Sequence, residues 1–379
     1  MTVLETAPPP PAATLDRPVR PRWALVRRLL PLVALVVGVA LPWSTAQVPV
    51  LFDAPLNAPG TLQILAGALV FGGLAIGYDL LFGRSGLLSF GHALFIALGA
   101  YGADILVNHA HWPLWLAALG ALGGGTLLAL LVGAVSLRTT GIAFAMVTLA
   151  FAQVGAILVD RDPGGLTGGE EGLPLDGNRL PGALVGVVNT VNLYWLALAF
   201  LVVCVFVVHR IDRAPLGRVL AGLRDDERRV GVLGLSPYRY KLAAFTVSGA
   251  LATLGGVVYC LLYGGASPAL ANSNLTVSLL VMVVLGGAGR AWGPVLGGIV
   301  YSLLDQRLTA SGAHLPGPLA QPLFVLGAVF ILVVYFVPGG LAGLSRWAAA
   351  TGGPLRRLAR VRAVRRTTGS AGPGTGAVP

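Results

Sequence analysis

Long apolar runs, separated by short polar or glycine-rich stretches, dominate the pattern of the chain. The runs predict membrane spans at 29–46, 61–82, 87–107, 113–137, 141–159, 193–209, 241–263, 275–288, 293–304 and 321–337. A helix of roughly 20 apolar residues crosses the hydrocarbon layer and satisfies its own backbone hydrogen bonds there. The pattern therefore predicts an all-α polytopic membrane protein, a bundle of about 10 spans, with about 8 to 10 permitted by the boundaries.

Two regions of this pattern permit alternative interpretations. The run 29–46 follows Arg27 and Arg28 and resembles the core of a signal peptide, but the long tail before it and the many spans after it favour a retained helix. The stretch 275–304 is interrupted by "GGAGRAWGP" around Arg290. One long kinked helix is an alternative there. We predict two short or re-entrant halves, because broken helices at membrane depth are tolerated where they line a cavity or are covered by protein.

The regions flanking the spans predict three parts and a sidedness. Residues 1–28 are rich in Pro and Ala and predict a disordered cytoplasmic tail, 29–340 form the transmembrane domain, and 341–379 form a basic cytoplasmic tail. With both termini in the cytoplasm, all but three of the 26 Lys and Arg residues fall on the cytoplasmic side, the exceptions being Arg161, Arg179 and Arg307. This asymmetry follows the positive-inside rule.

Composition excludes several classes of function. The chain is 55% hydrophobic and 11% charged, so its net charge of +11 reflects membrane sidedness, and we expect no nucleic-acid partner. The only lysine, Lys241, follows Tyr240 and not glycine, so the Walker A motif of nucleotide hydrolases is absent. His109 and His111 have no third ligand at metal spacing, so no metal site is expected. The sequence indicates a membrane protein without an ATPase site of its own.

The segment 210–240 is an island of charge among the apolar runs. Apolar residues recur in it at spacings of three, four and seven, which predicts an amphipathic helix, at Leu216, Val219, Leu220, Leu223, Val230 and Leu233. Gly234 ends the pattern, and "SPYRYK" leads back into the membrane. A solvated connecting helix and a helix that docks on a partner both fit this pattern.

Five segments, in order, carry a resemblance to a known family. The loop "LGRVLAGLRDDERRVGVLGL" is followed by "RYK", and the others are "GLLSFGHALFIALGAYGADIL" (86–106), "RTTGIAFAMVTLAFAQ" (138–153), "GGLTGGEEGL" (164–173) and "VLGGAGRAWGPVLGG" (284–298). Together they resemble the LivM-type permeases of branched-chain amino acid ABC transporters. The chain departs from the family pattern at Phe90, Ala143, Glu170, Glu171 and Arg290.

The resemblance implies an importer subunit energised by its partners. In the family the charged loop forms a coupling helix seated in a groove of a cytoplasmic ATPase. The matching coupling residues here are Gly217, Arg218, Leu223, Arg224, Asp225, Asp226, Glu227, Gly234, Leu235 and Tyr240. The implied partners are a second homologous permease of the LivH type, two ATPase subunits that use ATP and Mg²⁺, and an extracytoplasmic substrate-binding protein. This chain would bind no cofactor itself and would lie in the bacterial plasma membrane.

The resemblance also suggests where substrate and binding protein meet the chain. The expected cargo is branched-chain, hydrophobic amino acids. Our candidate pore residues are Ser89, His92, Phe144, Met146, Thr148 and Gln153. For His92, a packed, hydrogen-bonded position at the start of a helix is favoured over contact with substrate. The glycine-rich loop predicts a docking surface for the binding protein at Thr167, Gly168, Gly169, Glu170, Glu171 and Gly172.

Three alternatives remain open at this point. The same architecture serves urea or short amides in related permeases. A secondary transporter driven by an ion gradient would explain the spans, but it predicts buried ion-binding carboxylates within them, and our boundaries place none there. A membrane-embedded enzyme would need "RDDER" as a metal site, yet Arg224, Arg228 and Arg229 surround the two aspartates.

Overall fold

The structure is a computed structural model that describes residues 36–46, 54–184, 189–290, 292–311, 321–336 and 339–343. The predictions for the tail 1–28, for the first part of the run 29–46 and for the tail beyond residue 343 lie outside the described residues.

Helices form most of the described chain. They are α1 (Pro59–Asp79), α2 (His92–Asn108), α3 (Leu114–Ser136), α4 (Ile142–Arg161), α5 (Thr190–Arg213), α6 (Pro215–Asp225), α7 (Glu227–Val232), α8 (Pro237–Tyr263), α9 (Ser273–Gly286), α10 (Gly293–Ser311) and α11 (Pro322–Phe336). A π-helical turn, Leu80–Arg84, continues α1. Short 3₁₀ helices lie at Leu41–Trp43, Gly169–Glu171, Gly177–Arg179, Gly182–Leu184, Pro268–Leu270 and Leu341–Gly343.

The helices confirm the all-α membrane class. Within the described residues, six segments are long and apolar enough to cross a membrane: α1 with its π turn, α3, α4, α5, α8 and Phe324–Gly343, which includes most of α11. The helices α2 and α9 are apolar but shorter. The count of about 10 spans stays a prediction.

Several predicted boundaries were wrong by a few residues. α2 begins at His92 and not at 87, because Gly86 has φ +72° and Ser89 accepts a hydrogen bond from the Gly91 amide in the turn before the helix. α5 runs on to Arg213, and α8 begins at Pro237, four residues earlier than predicted. Charged residues at a membrane surface are solvated and need not end a helix, whereas hydropathy alone ends the span at the first of them.

The stretch 275–304 consists of two helices, as predicted, but the second half is not short. α9 ends at Gly286 and α10 begins at Gly293. α10 has 19 residues and extends over about 28 Å, because its helix continues through Asp305 and Arg307. A methyl group on Gly286 would overlap the Gly293 carbonyl, so the backbones of the two helices touch at the break.

Two helices form the centre of the bundle. In the most apolar 18-residue stretch of α1 with its π turn, 78% of the residues are buried, and in that of α8 67% are buried. The corresponding share is 28% in both α3 and α4. α1 packs against α5, α8 and α10, and α8 packs against α2 and α3. Glycines bring α2 and α8 into backbone contact, since a methyl group on Gly99 would overlap the Thr253 carbonyl and one on Gly256 would overlap the Ile96 carbonyl.

The described strands form one short antiparallel pair. β1 (Leu173–Pro174) pairs with β2 (Gly265–Ala266), with Leu173 opposite Ala266. Asn108, at the end of α2, donates to the Pro174 carbonyl at 3.0 Å. The loop after α4 is therefore fixed to α2 and to the turn after α8. We call the end of the bundle that carries this loop and the β1–β2 pair the loop end. The end that carries α6 and α7 is called the basic end.

Candidate functional site

The charged loop at the basic end folds into two helices and not one. The predicted amphipathic helix over 216–233 is interrupted at Asp226, whose backbone is extended with φ −160° and ψ 106°. The Asp226 carboxylate accepts hydrogen bonds from the amides of Arg228 at 2.9 Å and Arg229 at 3.3 Å. An aspartate in this position caps the start of a new helix, so α6 ends at Asp225 and α7 starts at Glu227.

The apolar stripe of this loop faces the protein's own bundle. Leu220, Leu223 and Val230 are all less than 10% exposed. In contrast, Val232 and Leu233 at the end of α7 are 89% and 76% exposed. The periodicity thus indicated helical structure correctly, although as one helix, but most of the apolar stripe packs against the bundle and is not presented to solvent.

The predicted coupling residues divide into buried anchors and an exposed rim. Gly217 lies close to the end of α5, Leu223 is buried, and Leu235 and Tyr240 are partly buried against the core. Arg218, Asp225 and Gly234 are exposed, and Gly234 has φ +80°, a conformation in which a side chain would be strained. Arg224, Asp226 and Glu227 each make a polar contact within the chain.

An ion pair ties α7 to the start of α8. The Lys241 Nζ atom lies 2.6 Å from Glu227 Oε2, and the lysine side chain is only 11% exposed. Both residues line a cavity of about 200 Å³ at the basic end, together with Arg224, Tyr238, Leu223, Ser85, Gly86, Leu87, Leu137, Thr139, Thr140 and Gly141. Glu227 was among the predicted coupling residues, but its pairing with Lys241 was not predicted.

A second ionic cluster lies at the same end and was not predicted. Arg84 is paired with Asp79, and its guanidinium also contacts Asp212, with Nε 2.6 Å from Oδ1 and Nη2 3.0 Å from Oδ2. The Gly289 amide donates to Asp79 Oδ1 at 2.8 Å, and Arg224 donates to the Gly83 carbonyl. The spacing of five between Asp79 and Arg84, at the end of an apolar run, was the one signal in the sequence.

Four of the six candidate pore residues lie inside the packed chain. Ser89, His92, Phe144 and Thr148 are all buried. Thr148 accepts from the Phe90 amide at 3.1 Å, and His92 Nε2 lies 2.8 Å from the Ser248 hydroxyl, which donates to the Gly77 carbonyl at 2.7 Å. His92 therefore occupies a packed, hydrogen-bonded position at the start of α2, the role that the sequence favoured for it.

The other two pore candidates lie on the exposed face of α4. Met146 is 60% exposed, and Gln153 is exposed and donates to the Ser273 hydroxyl at 3.1 Å. Large apolar side chains flank them on this face: Ile142, Val154, Ile157 and Leu158 are each more than half exposed. The six candidates thus do not form one site, because α4 directs Phe144 and Thr148 inward and Met146 and Gln153 outward.

The candidate docking loop is an ordered turn at the loop end. Asp162 Oδ1 accepts from the Thr167 amide at 2.7 Å, from the Thr167 hydroxyl at 3.0 Å and from the Gly168 amide at 3.1 Å. The hydrogen bond from the Thr167 backbone amide is the main reason why the pKa of Asp162 lies below its ordinary value. Gly168, Gly169 and Gly172 all have positive φ. The turn leaves both Glu170 and Glu171 exposed.

The fold and these sites define a multi-span helical membrane protein with a charged helical loop built onto one end. A family described as the permease component of branched-chain amino acid transport systems matches residues 60–334. The chain therefore belongs to this family of branched-chain amino acid transport permeases. The matched region includes the charged loop, the α9–α10 break and the turn at the loop end.

Named relatives agree with this assignment. The high-affinity branched-chain amino acid transport permease LivM of Escherichia coli K12 is 30% identical over 350 residues, which cover 85% of this chain and 76% of the relative. BraD of Pseudomonas aeruginosa is 25% identical over 74% of this chain and 95% of the relative. LivH of Salmonella typhimurium, a permease of the same kind of system, is 23% identical over 71% of this chain and 90% of the relative.

Proposed function

We propose that the chain is the membrane-spanning permease of an ATP-binding-cassette importer that moves branched-chain amino acids into the cell. The observation that carries this proposal is the family match over 60–334, which includes the loop with α6 and α7. The chain itself supplies the path, and partner subunits supply the energy. Urea and short amides serve as the competing substrates in the test below.

The distribution of charge supports an orientation. The basic end carries Arg84 and the arginine-rich loop, whereas Arg161 and Arg179 lie at the loop end. Under the positive-inside rule the basic end faces the cytoplasm of the bacterial plasma membrane, with both termini on that side. In this orientation α6 and α7 face cytoplasmic partners, and the loop after α4 faces extracytoplasmic partners.

The exposed part of α7 is the contact that we assign to an ATPase subunit. Val232 and Leu233 together offer an apolar tip, and the exposed Arg228 and Arg229 lie beside it. Burial of a small apolar tip supplies affinity, while flanking charges set the register of the contact. Because the remainder of the stripe is seated on the bundle, a displacement of this tip is transferred to the bundle and is not absorbed by a free loop.

The exposed face of α4 is the surface that we assign to the path and to the second permease. It combines a polar side chain, Gln153, with Met146 and a row of aliphatic residues. A sister permease that covers this face would enclose a mixed apolar and polar path, which suits the aliphatic side chain and the charged groups of the cargo. The similarity of this chain to both LivM and LivH relatives supports a permease pair.

The turn at the loop end is the docking surface that we assign to a substrate-binding protein. Glu170 and Glu171 are exposed on a turn that Asp162 and the β1–β2 pair hold in place. An ordered acidic turn loses little conformational entropy on binding, and basic residues of a partner complement its charge.

Affinity purification of the tagged chain from its native membrane tests the assembly. We expect two ATPase subunits and a second permease to be recovered with it. Recovery of the chain alone, under conditions that preserve a control ABC complex, would instead favour the gradient-driven transporter. Reconstituted into liposomes with its binding protein, the complex should take up leucine, isoleucine or valine on addition of ATP. Uptake of urea but of none of the three would replace the proposed cargo.

A thiol-accessibility experiment tests the path. The described native cysteines, Cys204 and Cys260, are buried, so single cysteines introduced in place of Met146, Gln153 and Thr148 can be compared directly. We expect a membrane-impermeant thiol reagent to label the first two positions in the transporting complex, with labelling that changes when substrate is supplied. Labelling confined to the Thr148→Cys variant would contradict the assignment of the outer face.

A further inference from the structure

The ionic cluster at the basic end joins three parts of the chain that are distant in sequence. Asp79 ends α1 and Arg84 ends its π turn, Asp212 is the last residue but one of α5, and Gly289 lies in the break between α9 and α10. We propose that Asp79, Arg84 and Asp212 form a positioning junction that transmits displacement of α6 to the α9–α10 break in each transport cycle. This inference rests on the permease function proposed above.

The π-helical turn Leu80–Arg84 creates the inner half of the junction. In an α-helix, residues five apart point about 140° away from each other around the axis, so Asp79 and Arg84 would not meet. The wider π turn brings the Arg84 guanidinium onto the Asp79 carboxylate. Single π turns within helices recur at functional sites, and this one has the specific effect of pairing the fully buried Asp79 with the largely covered Arg84 at the end of α1.

The outer half of the junction reaches the charged loop. Both nitrogens on one edge of the Arg84 guanidinium contact the two oxygens of Asp212, which is the fork geometry that fixes direction as well as distance. Two residues later the chain turns into α6, and Gly217 in its first turn lies against Asp212, since a methyl group there would be 2.8 Å from the Asp212 Cα atom. A movement of α6 therefore acts on Asp212 directly.

The inner side of the junction holds the helix break. The second oxygen of Asp79 accepts the Gly289 amide at 2.8 Å. Gly289 has φ +72°, and a methyl group on it would be 2.8 Å from an Arg224 guanidinium nitrogen and 2.9 Å from the Gly83 carbonyl. α6 thus lies against the break through Arg224 at its end, and the end of α5 is linked to the break through Asp212, Arg84 and Asp79.

Burial makes the junction move as one unit. The Asp79 side chain is fully buried and that of Arg84 is 9% exposed, while Asp212 is 32% exposed. Separating Arg84 from Asp79 would leave a buried charge without its partner, which is far more costly than the loss of an exposed pair. When α6 is displaced, we therefore expect the ends of α1 and α5 and the backbone at Gly289 to follow it together.

Replacement of Arg84 in the assembled transporter tests the junction. The complete complex is reconstituted in liposomes, and leucine uptake and ATP hydrolysis are measured on the same sample. For Arg84→Gln we expect uptake per ATP hydrolysed to fall about ten-fold or more while hydrolysis itself continues, because coupling and not assembly is removed. Arg84→Lys keeps the charge and should restore part of the ratio. Arg213→Gln, which removes an exposed arginine next to Asp212, is the matched control and should resemble the parent.

The outcomes separate a coupling role from a merely structural one. A proportional loss of uptake and hydrolysis in Arg84→Gln, or an unchanged ratio, would overturn the junction. If that variant does not assemble, Asp212→Asn removes only the outer, partly exposed contact, and a ratio equal to the parent's would overturn the proposal equally. Failure of the parent complex to take up leucine, isoleucine or valine would contradict the proposed function and not the junction.

Discussion

The ion pair between Glu227 and Lys241 gives a prediction that can be worked out from the structure. The change Glu227→Arg removes the carboxylate that lies 2.6 Å from a lysine only 11% exposed, and it places a second cation there. A hydrogen bond between charged groups contributes about 1.5–3 kcal/mol, and the exposure of Glu227 favours the lower part of this range. We therefore expect the free energy of local opening of α7 from α8 to fall by about 2 kcal/mol. Repulsion adds little to this value, because the new arginine can turn towards solvent.

Hydrogen exchange measures this loss directly. A change of 2 kcal/mol corresponds to a roughly 30-fold increase in local opening, because each 1.4 kcal/mol is a factor of ten. We expect faster exchange of that order at the amides of Leu233 and Gly234, which are bonded to the carbonyls of Arg229 and Gly231 at the end of α7. Uptake coupled to ATP hydrolysis should fall in the same variant, while the protein stays in the membrane.

Two control variants set the scale. Glu227→Gln keeps an acceptor for the lysine and should raise exchange by a smaller factor, about ten-fold or less. Asp225→Arg makes the same change of charge at an exposed position two residues earlier, and it should leave exchange within α7 unaltered. Exchange in Glu227→Arg that equals the parent's would refute the reasoning that this pair anchors α7.

Three further predictions concern the bundle and the loop end. Gly256→Val should prevent correct packing of α8 on α2, at a cost of about 1–3 kcal/mol, and should lower the yield of folded protein in detergent. Gly123→Val, at a position with open space around it, should leave the yield unchanged. Ser248→Ala should lower the unfolding free energy by about 1–3 kcal/mol in a denaturant titration, because it leaves His92 without its partner. The pKa of Asp162 is lowered in the folded protein, so its ionised form stabilises the turn at pH 7, and this stabilisation is lost only as the pH falls through the lowered pKa. Asp162→Asn should therefore increase proteolysis of the loop at pH 7. Cleavage equal to that of the parent would contradict this.

Much of the fold followed from local pattern. Apolar length predicted the helices of the bundle, and the glycine and proline cluster around Arg290 predicted the interruption between α9 and α10. The charged loop was predicted as helical with its end at Gly234, which has the positive φ that such an end requires. These features depend on residues close together in the chain, and so the sequence is sufficient to indicate them.

Which of the candidate residues are buried against the bundle and which are exposed was less predictable. Periodicity identified an apolar stripe in the loop but not whether it faced a partner or the bundle, and Leu220 and Val230 face the bundle. The pore candidates on α4 were chosen from one run of sequence, yet a helix turns Thr148 inward and Met146 outward. Which side of a helix is covered depends on its neighbours, and no property of the single run specifies them.

The sequence by itself determined the membrane class, the helical elements, the family and the position of the charged loop, because hydropathy, helix-breaking residues and motif order are local properties. The tertiary structure alone decided that Asp79, Arg84, Asp212 and Gly289 meet, since a π-helical turn and the packing of α1 on α5 and α10 bring together residues up to 210 positions apart. Charges so far apart along the chain have no signature in composition or spacing. Their pairing depends on burial, which only the packed bundle provides.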